Sequence, residues 1–244
     1  MGGALLDPSL QKYVRPLMEA SWSPVILQQF FAKYTGRERP FVRVSGSLSS
    51  GEVRFTLAQG EVVGVDEAHG EEIMQLLLGM KKMARGSFLV REGNYFDEMD
   101  RKAWAYQVGF LGRGVSLYPE LTVEQNWRYF GRQYGLTKHE LDASISSLSY
   151  RLGLEAYMRI PVHQLNPGLV RYADLGCALV HDPKLVLVHD PSSEMHPQMA
   201  WHFYQVLQQE KTRGKSIVVT GSSEVLKSVC DRQVSFNHAL PNYY

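Results

Sequence analysis

Three groups of side chains in this sequence are of kinds that do chemistry. The first is the acidic run Asp66-Glu67-Ala68-His69-Gly70-Glu71-Glu72, set between the strand-like Val62 to Val65 and the apolar, helix-like Ile73 to Met80. A strand-loop-helix unit can hold phosphate on the backbone N–H groups that open its helix. The loop that does so best reads GxxxxGK[ST], with a lysine for the terminal phosphates and a hydroxyl for magnesium. This loop offers Asp66-Glu67-Ala68-His69-Gly70-Glu71-Glu72 instead, which by itself is an acidic turn. Paired carboxylates can act as acid and base, but at the start of a helix they more commonly just favour its dipole. The second group is His189, Asp190 and His196, whose imidazoles and carboxylate are metal-ligand types. The third is a basic patch, Lys81, Lys82 and Arg85 near Arg91, which reads as a solvated helix end.

The elements that must position these groups follow from periodicity. Phe41 to Val44, Val53 to Leu57, Val62 to Val65 and Ser87 to Arg91 read as strands between Gly- and Ser-rich turns. Residues 102–162 are mainly helical in pattern, with Val123 to Tyr134 and His139 to Tyr157 spaced at three and four. Helix candidates Gly168 to Val180 and Met199 to Gln209 then alternate with the apolar strands Leu185 to Val188 and Ser216 to Thr220, the order of a parallel α/β sheet. Residues 1–24, broken by Pro8, Pro16 and Pro24, read as a short helical extension. The helical block is rich in aromatics, among them Tyr106, Phe110, Tyr118, Trp127, Tyr129, Phe130 and Tyr134, which suit both a core and an interface.

Composition narrows the classes of function. The 244 residues carry 26 Lys plus Arg against 25 Asp plus Glu, so no dominant nucleic-acid or anionic-lipid surface is expected. Cys177 and Cys230 lack CxxC spacing, which argues against a disulfide framework and a cysteine zinc site. No apolar run approaches the ~20 residues of a membrane span, and a cytoplasmic protein is expected.

Four segments in order give these elements a common meaning: Gly60-Glu61-Val62-Val63-Gly64, Leu117-Tyr118-Pro119-Glu120-Leu121-Thr122-Val123-Glu124-Gln125-Asn126, Ala178 to Leu187 with its His181-Asp182-Pro183, and Cys230-Asp231-Arg232. Over roughly residues 25–236 the chain resembles an ATP-binding-cassette (ABC) ATPase, the nucleotide-binding subunit of ABC transporters. The resemblance implies an α/β P-loop fold with a mainly parallel core sheet, an antiparallel β edge and an inserted helical lobe. Its core would comprise residues 25–114 and 163–238 and its lobe about 115–162, within a domain of residues 25–244.

Carried over position by position, the resemblance implies a nucleotide site whose residues have changed. Gly70, Glu71 and Glu72 stand where the Walker A lysine and its neighbours would be, and Arg113 where the Q-loop has glutamine. The signature becomes Leu165-Asn166-Pro167-Gly168-Leu169, keeping only Leu165 and Gly168. His189 replaces the magnesium-binding aspartate, Asp190 the catalytic glutamate, His196 the D-loop aspartate and Gly221 the switch histidine. These motif positions also weigh against reading His189, Asp190 and His196 as a metal cluster. Tyr34 matches the aromatic that stacks on adenine, although packing would equally explain it. Arg113 could clamp an anion or an acidic partner, or simply be solvated. Asn166 and Gly168 could still meet a phosphate held by a partner subunit, with Pro167 counting against that contact.

Losing one charge-assisted hydrogen bond to phosphate costs about 1.5–3 kcal/mol. A carboxylate about 4 Å from a phosphate adds up to about 4 kcal/mol of repulsion at an effective dielectric of 20. A micromolar site has only about 8 kcal/mol to lose, so millimolar or weaker ATP binding is expected. No cofactor, metal or catalytic residue is therefore expected. The expected role is a pseudo-ATPase, structural or regulatory, on the cytoplasmic face of a membrane. Its expected partners are transmembrane subunits, docked at Leu117, Tyr118, Pro119 and Glu120, and a second ABC ATPase subunit, identical or different. The alternative is an asymmetric subunit that completes its partner's ATP site.

Overall fold

Strict alternation builds the first sheet: Val42, Val44, Val53, Phe55 and Leu57 are buried while Arg43, Glu52, Arg54 and Thr56 face solvent. The computed structural model describes residues 40–48, 51–81, 83, 85–92, 95–98, 101–191, 195–221 and 229–234. All fall within the unit Pro40–Tyr244. The expected boundary at residues 24 and 25, the helical extension and Tyr34 lie outside the described residues. Strands β1 (Pro40–Leu48), β2 (Gly51–Ala58), β4 (Arg85–Glu92) and β5 (Tyr95–Glu98) form an antiparallel sheet in the order β2-β1-β4-β5.

The second sheet is parallel, in the order β6-β7-β8-β3-β9, from β3 (Val62–Val65), β6 (Val108–Leu111), β7 (Leu185–His189), β8 (Ser216–Thr220) and β9 (Arg232–Val234). The inner strands β3, β7 and β8 are buried on both faces, which explains their apolar runs. Val186, Val188, Ile217 and Val219 join one core cluster, whereas Leu185, Leu187 and Val218 join the other. The second cluster also takes in β1 and β2; the first takes in the helices of the lobe.

Helix α1 (Glu67–Leu77) follows β3, and the five-residue α2 (Arg101–Ala105) precedes β6. The helical lobe holds α3 (Val123–Gln133) and α4 (Lys138–Leu152), each opened by a capping box, Thr122 with Gln125 and Thr137 with Glu140. Trp127 is fully buried, and its ring lies so close to α5 (Pro167–Leu179) that a Cβ on Gly176 would be 2.0 Å from it. Helix α6 (Pro197–Thr212) connects β7 to β8.

Two expectations are corrected. The acidic run expected as a loop is helical from Glu67, because Asp66 caps the helix there. The block expected as mainly helical, 102–162, contains the strand β6 and the irregular residues 112–122. Val108-Gly109-Phe110-Leu111 is too short for its period to separate strand from helix; pairing with Leu185 to Val188 decides it. Among the described residues no helix is long and apolar enough to cross a membrane.

Candidate functional site

The turn that would cradle phosphate is held by the chain's own carboxylate. Asp66 is extended, and its Oδ1 accepts the backbone N–H of His69 at 3.0 Å. The His69 ring is buried, with Nδ1 2.8 Å from the same oxygen. One side-chain acceptor therefore satisfies a donor that otherwise faces a ligand. Gly70 sits hard against the end of β8, where a Cβ would lie 2.8 Å from Thr220 Cβ. Glu71 is exposed and accepts Gln75 Nε2 at 3.2 Å, while Glu72 is paired with Lys81. Lys81 is thus part of an ion pair and not merely a solvated helix end.

The carboxyl ends of β6, β7 and β8 converge on the same point because the strands are parallel neighbours. His189 Nδ1 is 2.7 Å from Thr220 Oγ1, and the Asp190 N–H donates to the Thr220 carbonyl at 2.9 Å. Asp190 takes a left-handed backbone, φ 44°, a conformation aspartate tolerates better than most residues. Two residues beyond β6, Arg113 Nε lies 3.6 Å from Asp190 Oδ2; its side chain is 54% exposed, that of Asp190 19%. The Arg113 guanidinium thus faces a carboxylate of its own chain. Gly221 continues directly from Thr220. Gly70, His189, Asp190 and Gly221 therefore gather around Thr220, with Arg113 reaching Asp190; sequence reasoning passed Thr220 over. Its only signal was its place at the end of an apolar run.

Three other positions stand at different helix starts. Asn166 caps α5, its Oδ1 accepting the Leu169 N–H at 2.9 Å, with Pro167 at the first helical position. Gly168 is buried beneath Met199, whose Cε would lie 2.2 Å from an added Cβ. His196 caps α6, accepting the Gln198 N–H at 3.4 Å. Among the described residues no three His, Cys, Asp or Glu side chains are grouped so as to hold a metal ion.

The segment expected to dock partners is organised from within. Leu117 is buried in the core, and Tyr118, Pro119 and Glu120 face solvent. Asn126, fully buried, accepts the Tyr118 N–H at 2.8 Å and directs its Nδ2 to the carbonyls of Tyr118, Leu121 and Thr122 at 3.1, 3.3 and 3.0 Å. The backbone and ring of His163 reach the Pro119 carbonyl at 3.1 and 3.0 Å. Outside, the Tyr118 ring meets Tyr129 edge-on at 5.1 Å, and both are partly exposed. Tyr129 also packs edge-on against Phe130, so these aromatics are packed together and presented at the surface.

No family profile matches the chain. It is 31% identical over 183 residues to the ABC transporter ATP-binding protein NatA of Bacillus subtilis, covering 74% of each chain. To the linearmycin resistance ATP-binding protein LnrL of the same organism it is 24% identical, over 74% of this chain and 58% of that one. To the Nod factor export ATP-binding protein I of Bradyrhizobium diazoefficiens it is 29% identical, over 74% of this chain and 60% of that one. It thus spans less than two thirds of the latter two. The fold matches CbiO1 of Clostridium perfringens, part of the ABC transporter complex CbiONQ, with a TM-score of 0.72 at 17% identity, covering 82% of this chain and 86% of that one. An ATP-binding subunit of an ABC transporter matches with a TM-score of 0.67 at 20% identity, over 81% and 86% of the two chains.

Proposed function

The chain belongs to the ATP-binding-cassette family of transporter ATPase subunits, and from that premise we propose that it is a pseudo-ATPase. In this reading it fills the position of a nucleotide-binding subunit in a membrane transport complex, contributing shape and docking without turnover. It lies peripherally on the cytoplasmic face, against transmembrane subunits and beside a second ABC ATPase subunit.

One observation carries the reading: Asp66 occupies, as a cap, the helix N-terminus on which a P-loop would hold phosphate. Around it the donor set is a poor match for a triphosphate and its magnesium. Glu71 adds an exposed negative charge early in α1, and Glu72 holds Lys81 in an ion pair. His189 is directed to the Thr220 hydroxyl, and imidazole is a poor ligand for a hard cation. Asp190 faces Arg113, and Gly221 offers no proton-carrying side chain. The segment 117–120 meanwhile keeps a buried core beneath an exposed aromatic face, which suits it for a membrane subunit. The alternative role, completing a partner's ATP site, draws little from the geometry. Met199 covers Gly168, and the Asn166 side chain is oriented as the cap of its own helix, its Oδ1 accepting the Leu169 N–H.

Calorimetric titration of the full chain with Mg-ATP tests the proposal. A dissociation constant of about a millimolar or weaker is expected, with no hydrolysis above background. Micromolar binding, or turnover by the isolated chain, overturns it.

A further inference from the structure

Residues 112–116 link β6 to the docking segment without a helix or strand of their own, yet two buried side chains of α5 hold them. Arg171 is 3% exposed and Asp174 is 1% exposed, one helical turn apart. Arg171 Nη2 donates to the Gly112 carbonyl at 2.9 Å, and Nη1 to the Gly114 carbonyl at 3.4 Å and Asp174 Oδ2 at 3.5 Å. Asp174 in turn accepts the Ser116 hydroxyl on Oδ1 and the Ser116 N–H on Oδ2 at 3.4 Å. The planar guanidinium suits this work, since its fixed donors meet two carbonyls and a carboxylate at once. Immediately beyond, Leu117 enters the core and Asn126 takes over the backbone from Tyr118 to Thr122.

A buried charge must be paired and hydrogen-bonded, or its desolvation is uncompensated. Arg171 and Asp174 satisfy that demand partly through each other and partly through backbone and hydroxyl groups of the loop, so the loop cannot leave without taking hydrogen bonds from both buried charges. We propose that Arg171 and Asp174 are positioning residues, a staple that fixes residues 112–116 and presents Leu117 to Glu120 in a single conformation whether or not nucleotide is present. The meaning given to that surface rests on the proposed docking role; the staple itself is a property of this chain alone. In this arrangement the path from the strand ends around Thr220 to the docking surface is a strut, with Arg113 facing Asp190 on one side of it and the buried pair beneath.

Trypsin supplies the probe, because Arg113 lies within the stapled loop and is exposed enough to be recognised. Cleavage after Arg113 is measured on the native full chain relative to cleavage after Arg132 in α3, so that global unfolding, which speeds both, cancels in the ratio. In the wild type the Arg113 cut is expected to be slow, and its rate unchanged by millimolar Mg-ATP. Asp174→Ala and Arg171→Gln are expected to raise the ratio at least tenfold. Arg171→Lys, which keeps charge but loses the fork, should raise it by a smaller factor. Should the buried variants fail to fold, Ser116→Ala leaves both charges in place and is expected to raise the ratio about threefold. Rapid cleavage in the wild type, a nucleotide-dependent rate, or a ratio unchanged in Ser116→Ala overturns the staple. Micromolar ATP binding with the loop still resistant would remove the pseudo-ATPase reading and leave the staple standing.

Discussion

Beyond the ends of β6 and β7, Arg113 faces Asp190 while 54% exposed, and His189 turns to the hydroxyl of Thr220. Around Asn126, by contrast, one fully buried amide serves four backbone groups, and Trp127 beside it donates its Nε1 to the Ala173 carbonyl at 2.7 Å. The two regions lie in the same domain and use similar numbers of polar groups, but they place them in different dielectric surroundings. A half-exposed pair gains little because water competes for both partners. A buried amide is costly to disturb because the Tyr118 N–H is left without its acceptor and a cavity opens beneath the segment. The Arg113 side chain can therefore change at small cost to the fold, whereas the support beneath the docking segment cannot.

Substitutions of graded size put that contrast at risk. Trp127→Ala removes the largest buried ring in the lobe and should lower stability by about 3–5 kcal/mol, read as a shifted denaturant midpoint. Asn126→Ala strands the Tyr118 N–H and takes one of two hydrogen bonds from the carbonyls of Tyr118, Leu121 and Thr122, which keep the backbone N–H groups of Leu121, Val162 and Asn126; a loss of about 1–3 kcal/mol is expected in the same assay. A loss below about 1 kcal/mol there would erase the distinction between the regions.

The third test uses pH. His181 stacks face to face on Tyr134 of the lobe at 3.5 Å, and its Nε2 is 3.2 Å from the Val108 carbonyl of β6. Burial pulls its pKa from 6.5 down to about 4, opposed by that carbonyl, with Lys215 also lowering it and Asp182 raising it. The folded value lies below the unfolded one, so the unfolded chain takes up the proton first. Stability is accordingly full above about pH 6.5 and is lost as the pH falls toward about 4. With its partial solvent contact, about 1 kcal/mol should disappear between pH 7.5 and 5. His181→Phe, which keeps a ring against Tyr134, should show a smaller drop over the same interval in paired thermal melts. The smallest effect belongs to the strand ends: Arg113→Ala is expected to cost less than about 1 kcal/mol. A larger loss would mean that the pair with Asp190 is a structural lock like the one beneath the docking segment.

Much of this architecture was legible in the residues. Val62 to Val65, Leu185 to Val188 and Ser216 to Thr220 read as strands because unbroken apolar runs of that length suit a sheet covered on both sides. The helices Val123–Gln133 and Pro167–Leu179 were found almost to the residue from their spacing. The strand Val108–Leu111 was not found, since four residues cannot display a period. The eleven site positions, Tyr34 aside, could be placed along the chain, but not the contacts that now define them.

Local chemistry, then, was determined by sequence: which segments are apolar, with what period, and that acids and neutral side chains stand where a phosphate site needs a lysine. Which partners those side chains found was decided only in three dimensions. Asp66 became a cap, Arg113 came to face Asp190, and Arg171 and Asp174 reached a loop 57 to 59 residues away in the chain. Periodicity arises between near neighbours and survives in one dimension, whereas a buried charge or amide takes its partners from elements that the sheets and helices bring together only on folding.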